Sequence, residues 1–239
     1  MKPLPRWLMV LLGLHLALGL VYDWATPVFE APDEGYHMAM ARWIALGNGL
    51  PVQRPGVKTD WQQEGSQPPL YHSLVAGLTG WIDTSNWPDV FVWNPLSHIG
   101  VPGTVTNANL YRHTSAEAFP YHGTALAVHV GRWFSLALSL VTIVLAYWLS
   151  LAVFPKRQTL ALAAAALVAL NPQAIFINAS VNNDNLLTLL STASLLVTLR
   201  FMSPSSTPSF GVCWPKTADV ASKTQAVFQR RIKVCSPGY

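Results

Sequence analysis

Apolar and polar positions separate along this chain into long uncharged blocks and one long mixed segment. Trp7 to Tyr22 carries no formal charge after Lys2 and Arg6, close to the roughly 20 residues that a spanning helix needs. Trp133 to Phe154 is uncharged for 22 residues, enough to cross a bilayer. Leu160 to Ile177 is also uncharged, but Asn171-Pro172 interrupts it with a local breaker signal. Leu186 to Phe201 is uncharged except for Arg200. The pattern predicts four membrane spans. The first follows a short cytoplasmic start within 1–22, and the others fill 133–202. Residues 23–132 form a large loop between them, and 203–239 read as a polar tail. The first block also has the shape of a secretory signal peptide, but no convincing small-x-small cleavage site precedes Asp23.

Inside the loop the period changes to that of amphipathic helices. After Pro32, apolar side chains recur at Tyr36, Met40, Trp43 and Ile44. After Pro68-Pro69 they recur at Leu70, Leu74, Val75, Leu78, Trp81 and Ile82. An apolar stripe with an aromatic edge suits a helix lying along the membrane surface, and it equally suits helices packed in a small domain. The expected fold is therefore all-α and integral to a membrane, with about four transmembrane helices and membrane-parallel helices in the large loop.

Composition supports the membrane reading. The chain is 51% hydrophobic and 11% charged, against roughly 25% charged in ordinary soluble domains. Its ten Trp residues suit the boundary between apolar core and water. The placement of positive charge sets the expected orientation, because cytoplasmic loops collect Lys and Arg. Lys2 and Arg6 precede the first span, Lys156 and Arg157 fill the tight connection after the second, and Arg200 ends the fourth. These fall on one side if the spans alternate, which makes the expected location a cytoplasmic (inner) membrane, multi-pass, with the N-terminus inside. Ten of the eleven acids, from Asp23 to Asp184, and six of the seven histidines then share the outer face. Cys213 and Cys235 have neither metal-ligand spacing nor a disulfide framework.

Three polar motifs on that outer face carry the candidate chemistry. In Pro32-Asp33-Glu34-Gly35-Tyr36-His37, either carboxylate can accept a proton from an attacking hydroxyl, or the two together can hold a divalent cation. His37 lies one helical turn after Asp33. The structural alternative is helix capping, since Pro and acids both suit a first helical turn. In Gln67-Pro68-Pro69-Leu70-Tyr71-His72 the double proline stiffens the entry to a helix, where Tyr71 and His72 can donate to a phosphate or sugar. Its alternative is a rigid turn with incidental polar residues. The third motif, Asn178-Ala179-Ser180-Val181-Asn182-Asn183-Asp184-Asn185, links spans three and four and sets Asp184 at the membrane face of Asp33 and Glu34. It can equally be plain loop, and Asn178-Ala179-Ser180 matches a glycosylation acceptor.

Together these motifs resemble the GT-C superfamily of integral-membrane glycosyltransferases, which includes protein O-mannosyltransferases and aminoarabinose transferases. Pro32-Asp33-Glu34 is similar to the Asp-Glu motif that opens the family's large loop, with Arg42 where a helix Arg often follows. Gln67-Pro68-Pro69-Leu70-Tyr71 is similar to its second motif, and Asn182-Asn183-Asp184 to its third. The likeness covers about residues 1–202. It implies transfer of a sugar from a polyprenyl-phosphate donor to a glycan, lipid or protein acceptor at the outer face. Asp33, Glu34 and Asp184 would be catalytic; His37, Arg42, Gln67, Tyr71, His72 and Asn182 would contact substrate. A divalent metal on Asp33 and Glu34 would be the cofactor, if the reaction uses one. The expected partners are the lipid bilayer and the lipid-linked sugar, with no nucleic acid. Two departures stand out: neutral Gln67 replaces the usual Lys or His, and about four spans replace the usual dozen, as in a truncated or frameshifted product. The rival readings are a non-catalytic fragment or accessory subunit and, last, a transporter, which would place charges within the spans.

Overall fold

The computed structural model describes residues 4–98, 101–104 and 108–202; the tail expected over 203–239 lies outside the described residues. Among the described residues the fold is all-helical, with one isolated bridge between Trp93 and Tyr111 and no strand. Eight α-helices follow one another: α1 (Arg6–Ala25), α2 (Glu34–Ala45), α3 (Leu70–Thr79), α4 (Trp87–Val90), α5 (Gly123–Val153), α6 (Gln158–Ala169), α7 (Pro172–Asn178) and α8 (Asp184–Met202). Short 3₁₀ turns occupy Gln62–Ser66 and Ser115–Glu117.

Three of these helices, α1, α5 and α8, are long and apolar enough to cross a membrane. A fourth crossing follows if α6 and α7 act as one span, bent by 62° at their junction. The bend sits at the Asn171-Pro172 breaker. Asn171 Oδ1 accepts from the backbone N–H of Gln173 and Ala174 and so caps α7, with Pro172 in its first turn. Such a break frees backbone groups that apolar surroundings cannot satisfy. His15 on α1 meets part of that need: its Nδ1 donates to the Ala169 carbonyl at 2.7 Å, while Nε2 lies 2.9 Å from Ser139 Oγ on α5. Three helices are thus tied at one buried histidine.

Helix α5 begins at Gly123, ten residues ahead of the uncharged block at Trp133. Arg132 read as the end of the loop, but it is fully buried and ion-paired inside the helix. At about 1.5 Å per residue, the 31 residues of α5 reach about 46 Å, well beyond the roughly 30 Å of a hydrocarbon core. The helix starts where it does because Asn86 Oδ1 accepts from both the backbone N–H and the hydroxyl of Thr124. Gly123 fits there with φ +54°, and a Cβ would stand 2.5 Å from that same Asn86 oxygen.

The two amphipathic helices differ in what they cover. On α2, Met38, Met40 and Ala41 are buried, and Trp43 and Ile44 pack against the same core. On α3, Tyr71, His72, Val75 and Ala76 face inward, whereas Leu70, Leu74 and Leu78 remain exposed, with Trp81 beyond the helix end. Only α3 keeps the free apolar face that a helix along a membrane surface needs. Phe29 anchors the core below α2, with ring centroids 5.3 Å from Trp87 and Phe91 and 5.5 Å from Tyr111.

Candidate functional site

The three motifs meet through hydrogen bonds that sequence separation alone would not join. Glu34 Oε1 accepts from the Val181 backbone N–H at 2.9 Å, Tyr71 Oη accepts from the Asn182 N–H at 3.0 Å, and Gln67 Oε1 accepts from Asn183 Nδ2 at 2.5 Å. His37 Nδ1 lies 3.0 Å from His72 Nε2. The N-terminus of α2, the entry to α3 and the start of α8 are therefore one assembly.

The adjacent acids Asp33 and Glu34 occupy opposite environments. Glu34 is fully buried and accepts four hydrogen bonds: from Arg132 Nε (2.8 Å) and Val181 N on Oε1, and from Arg132 Nη2 (2.6 Å) and Phe29 N (3.0 Å) on Oε2. Arg132 also donates to the carbonyls of Asp23, Thr26 and Pro27, which end α1. A bidentate Arg–carboxylate pair of this kind is strongly directional. It locks α1, α2, α5 and the 178–185 loop together, so Glu34 acts as a positioning residue with no lone pair left for a substrate.

Asp33 is exposed, in the left-handed conformation (φ 57°, ψ 3°), and its side chain makes no capping bond to α2. Its carboxylate is thus uncommitted, which helix capping does not explain. Gly35, two residues on, lets α2 sit against the aromatic core, because a Cβ there would stand 2.7 Å from Tyr111 Oη. Asp184 is exposed at the first position of α8, where Asn182 Oδ1 accepts its N–H at 2.9 Å.

The residue that the motifs omit is Glu64, in the 3₁₀ turn Gln62–Ser66 ahead of Pro68-Pro69. It is buried, with Oε2 3.3 Å from His37 Nδ1 and without a hydrogen bond to it. Burial pushes its carboxyl above the usual range, and the negative charges of Asp33 and Asp184 add to that shift. Asp33 and Asp184 thus lie within electrostatic reach of Glu64. Burial lowers His37 to about 3, with His72 contributing, and lowers His72 to about 4. Both imidazoles are neutral near pH 7. The sequence signal for Glu64 was only its place three residues before Gln67.

Tyr71 is buried, shares a hydrogen bond with Ser135 Oγ at 2.7 Å, and holds the Asn182 backbone. Burial raises its phenol, which keeps its proton, and its bonds to Ser135 and Asn182 make it a brace for the loop rather than a free donor. Arg42 is engaged with other partners: it donates to Thr84 Oγ1 at 3.0 Å and to the Thr84 carbonyl at 3.3 Å, and stacks over Trp87. Asn182 is buried, with its side chain capping α8.

The Asp33–Glu34 pair does not fit a divalent metal. Glu34 has spent its lone pairs on four donors, leaving Asp33 as a single ligand. Among the described residues no group of three or more His, Cys, Asp or Glu is arranged to hold a metal ion.

A second buried polar cluster joins α1 to α5. His129 Nδ1 donates to Asp23 Oδ1 at 2.7 Å and Trp133 Nε1 donates to Asp23 Oδ2 at 2.9 Å, while Tyr121 stacks on His129 with centroids 3.7 Å apart. It shares Arg132 with Glu34 and so braces the candidate site from behind. No family model, curated protein or solved structure matches the chain.

Proposed function

We propose that this chain is the membrane-embedded face of a glycosyltransferase that moves a sugar from a polyprenyl-phosphate donor to an acceptor hydroxyl. The carrying observation is the uncommitted Asp33 carboxylate, held in a left-handed turn at the junction of three polar motifs. In this reading the acceptor O–H attacks the anomeric carbon opposite the phosphate. The new C–O bond forms as the old one breaks, the electron pair leaves on the polyprenyl phosphate, and Asp33 takes the hydroxyl proton. Arg132 and Glu34 hold the N-terminus of α2 in register, and Tyr71 and Gln67 hold the segment that carries Asp184.

The same reading sets four spans, with α6 and α7 forming one bent crossing, and places the loop on the outer face of a cytoplasmic membrane with the N-terminus inside. The exposed leucines of α3 and Trp81 would rest on the lipid, at the level where a polyprenyl chain leaves the bilayer.

The test is direct. The full chain, reconstituted in vesicles with radiolabelled polyprenyl-phosphate sugars and a panel of glycan, lipid and peptide acceptors, should release free polyprenyl phosphate. Release no faster than from empty vesicles, across hexose and pentose donors, overturns the proposal.

A further inference from the structure

Glu64 is the group that the proposed reaction leaves unused, and its surroundings are unusual. Its side chain is 3% exposed, Oε2 lacks a hydrogen-bond donor, and among the described residues no Lys or Arg pairs with it. Arg132, the buried cation of the assembly, is bound to Glu34 and Asp23. Around Glu64, Asp33 and His37 come from the start of α2, Gln63 from its own turn and Asp184 from the start of α8. His72 of α3 stands next to His37, 3.0 Å from its Nδ1, with Tyr71 edge-on to His72.

The protons of the histidine pair can be counted. His72 Nδ1 faces the Pro68 carbonyl without a well-formed hydrogen bond, so the hydrogen of neutral His72 belongs on that nitrogen. His72 Nε2 then accepts, and the hydrogen between the rings sits on His37 Nδ1. The pair is satisfied as two neutral imidazoles and supplies no positive charge to Glu64. An ionised carboxylate buried within electrostatic reach of two further carboxylates, and paired with no Lys or Arg among the described residues, is costly, and such a group neutralises by keeping a proton.

We propose that Glu64 is held as a neutral carboxylic acid, so that the Asp33–Glu64–Asp184 cluster presents two negative charges instead of three to an anionic ligand. Where Gln67 provides no cation, this matters for any phosphate-bearing molecule at the site. Ionisation of Glu64 adds a third charge and expels the phosphate. Glu64 therefore sets the alkaline limit of phosphate binding. This consequence rests on the lipid-phosphate donor proposed above, whereas the protonation of Glu64 does not.

Two measurements on the full chain in lipid nanodiscs separate the claims. Infrared difference spectra at neutral pH should show a carboxylic-acid carbonyl band that Glu64→Gln removes. Asp33→Asn and Asp184→Asn should each keep the band but move its loss to lower pH, because each removes a repelling charge. No band lost in Glu64→Gln, or no shift in either neighbour variant, overturns the protonated carboxyl. Titration with polyprenyl phosphate should then show affinity falling by on the order of tenfold as the band disappears, with Glu64→Gln binding evenly over that range. Equal falls in both proteins overturn the role of Glu64. Binding by neither at any pH, with the band intact, overturns the lipid-phosphate reading and leaves Glu64 protonated.

Discussion

Arg132 grips Glu34 through two hydrogen bonds, Nε to Oε1 at 2.8 Å and Nη2 to Oε2 at 2.6 Å, with both side chains fully buried. The pair joins a helix that is read as crossing the membrane to the first turn of the helix that carries the candidate site. Breaking such a pair strands a charge in the interior, at a cost of about 3–5 kcal/mol. Arg132→Ala and Glu34→Gln should therefore lower the thermal unfolding temperature in detergent and expose the protein to trypsin. Arg132→Lys should rescue little, because an ammonium cannot reproduce the two-pronged contact and the carbonyl bonds to Asp23, Thr26 and Pro27. Near-parental stability of Glu34→Gln would refute the positioning role.

Asp33 should behave in the opposite way. Its side chain caps nothing, and Asn tolerates the left-handed conformation at least as well as Asp. Asp33→Asn should unfold within about 0.5 kcal/mol of the parent. It should slow sugar transfer by about 10²–10⁴-fold, the usual contribution of a positioned base. Stability and turnover measured on one preparation decide it, and transfer at the parental rate removes Asp33 from the mechanism.

How far the sequence reached depended on what each residue's neighbours hid. The uncharged blocks were legible because a helix apolar enough to cross a membrane shows as a long run without charge, and the Asn171-Pro172 break is where the helix bends by 62°. The first third of α5 was not, because Arg132 reads as solvent-facing until its partner Glu34 is known. Asp33 and Glu34 looked like a pair, yet successive positions at a helix start diverge by about 100°, and one turned inward. Glu64 was illegible for another reason. It lies in a 3₁₀ turn without periodicity, and its chemistry comes from burial beside His37. Arg42 matched a motif position but sits about 12 Å along α2 from its start, at 1.5 Å per residue, where it serves Thr84 and Trp87.

Orientation gives a third expectation, resting on the Lys and Arg asymmetry. Ser66 and Arg157 are both exposed. In a background with Cys213 and Cys235 replaced by serine, Ser66→Cys should react with an impermeant maleimide in intact cells. Arg157→Cys should react only after permeabilisation. The reverse pattern would invert the topology and put the Asp33 site in the cytoplasm.

The last expectation concerns acid stability and follows from the two buried histidines. In the unfolded chain each titrates near 6.5, whereas in the fold His37 is lowered to about 3 and His72 to about 4. Between those limits the unfolded chain binds more protons than the folded one. The stability they contribute is thus fully present above pH 6.5 and is lost as pH falls through 4 toward 3. Glu64 works in the other direction. Its raised carboxyl favours the fold below the ordinary value of 4.5 and loses that contribution as pH rises through its folded value. The parent should therefore lose stability between pH 6.5 and 4.5. The two imidazoles contribute up to about 2.7 kcal/mol per pH unit to that slope, and one alone about 1.4. His72→Gln, which carries no titrating proton, should be less stable at pH 7 yet fall more gently with acid. Unfolding free energies at pH 6.5, 5.5 and 4.5 test this, and parallel slopes for parent and variant would show that His72 titrates in the fold as it does in the unfolded chain.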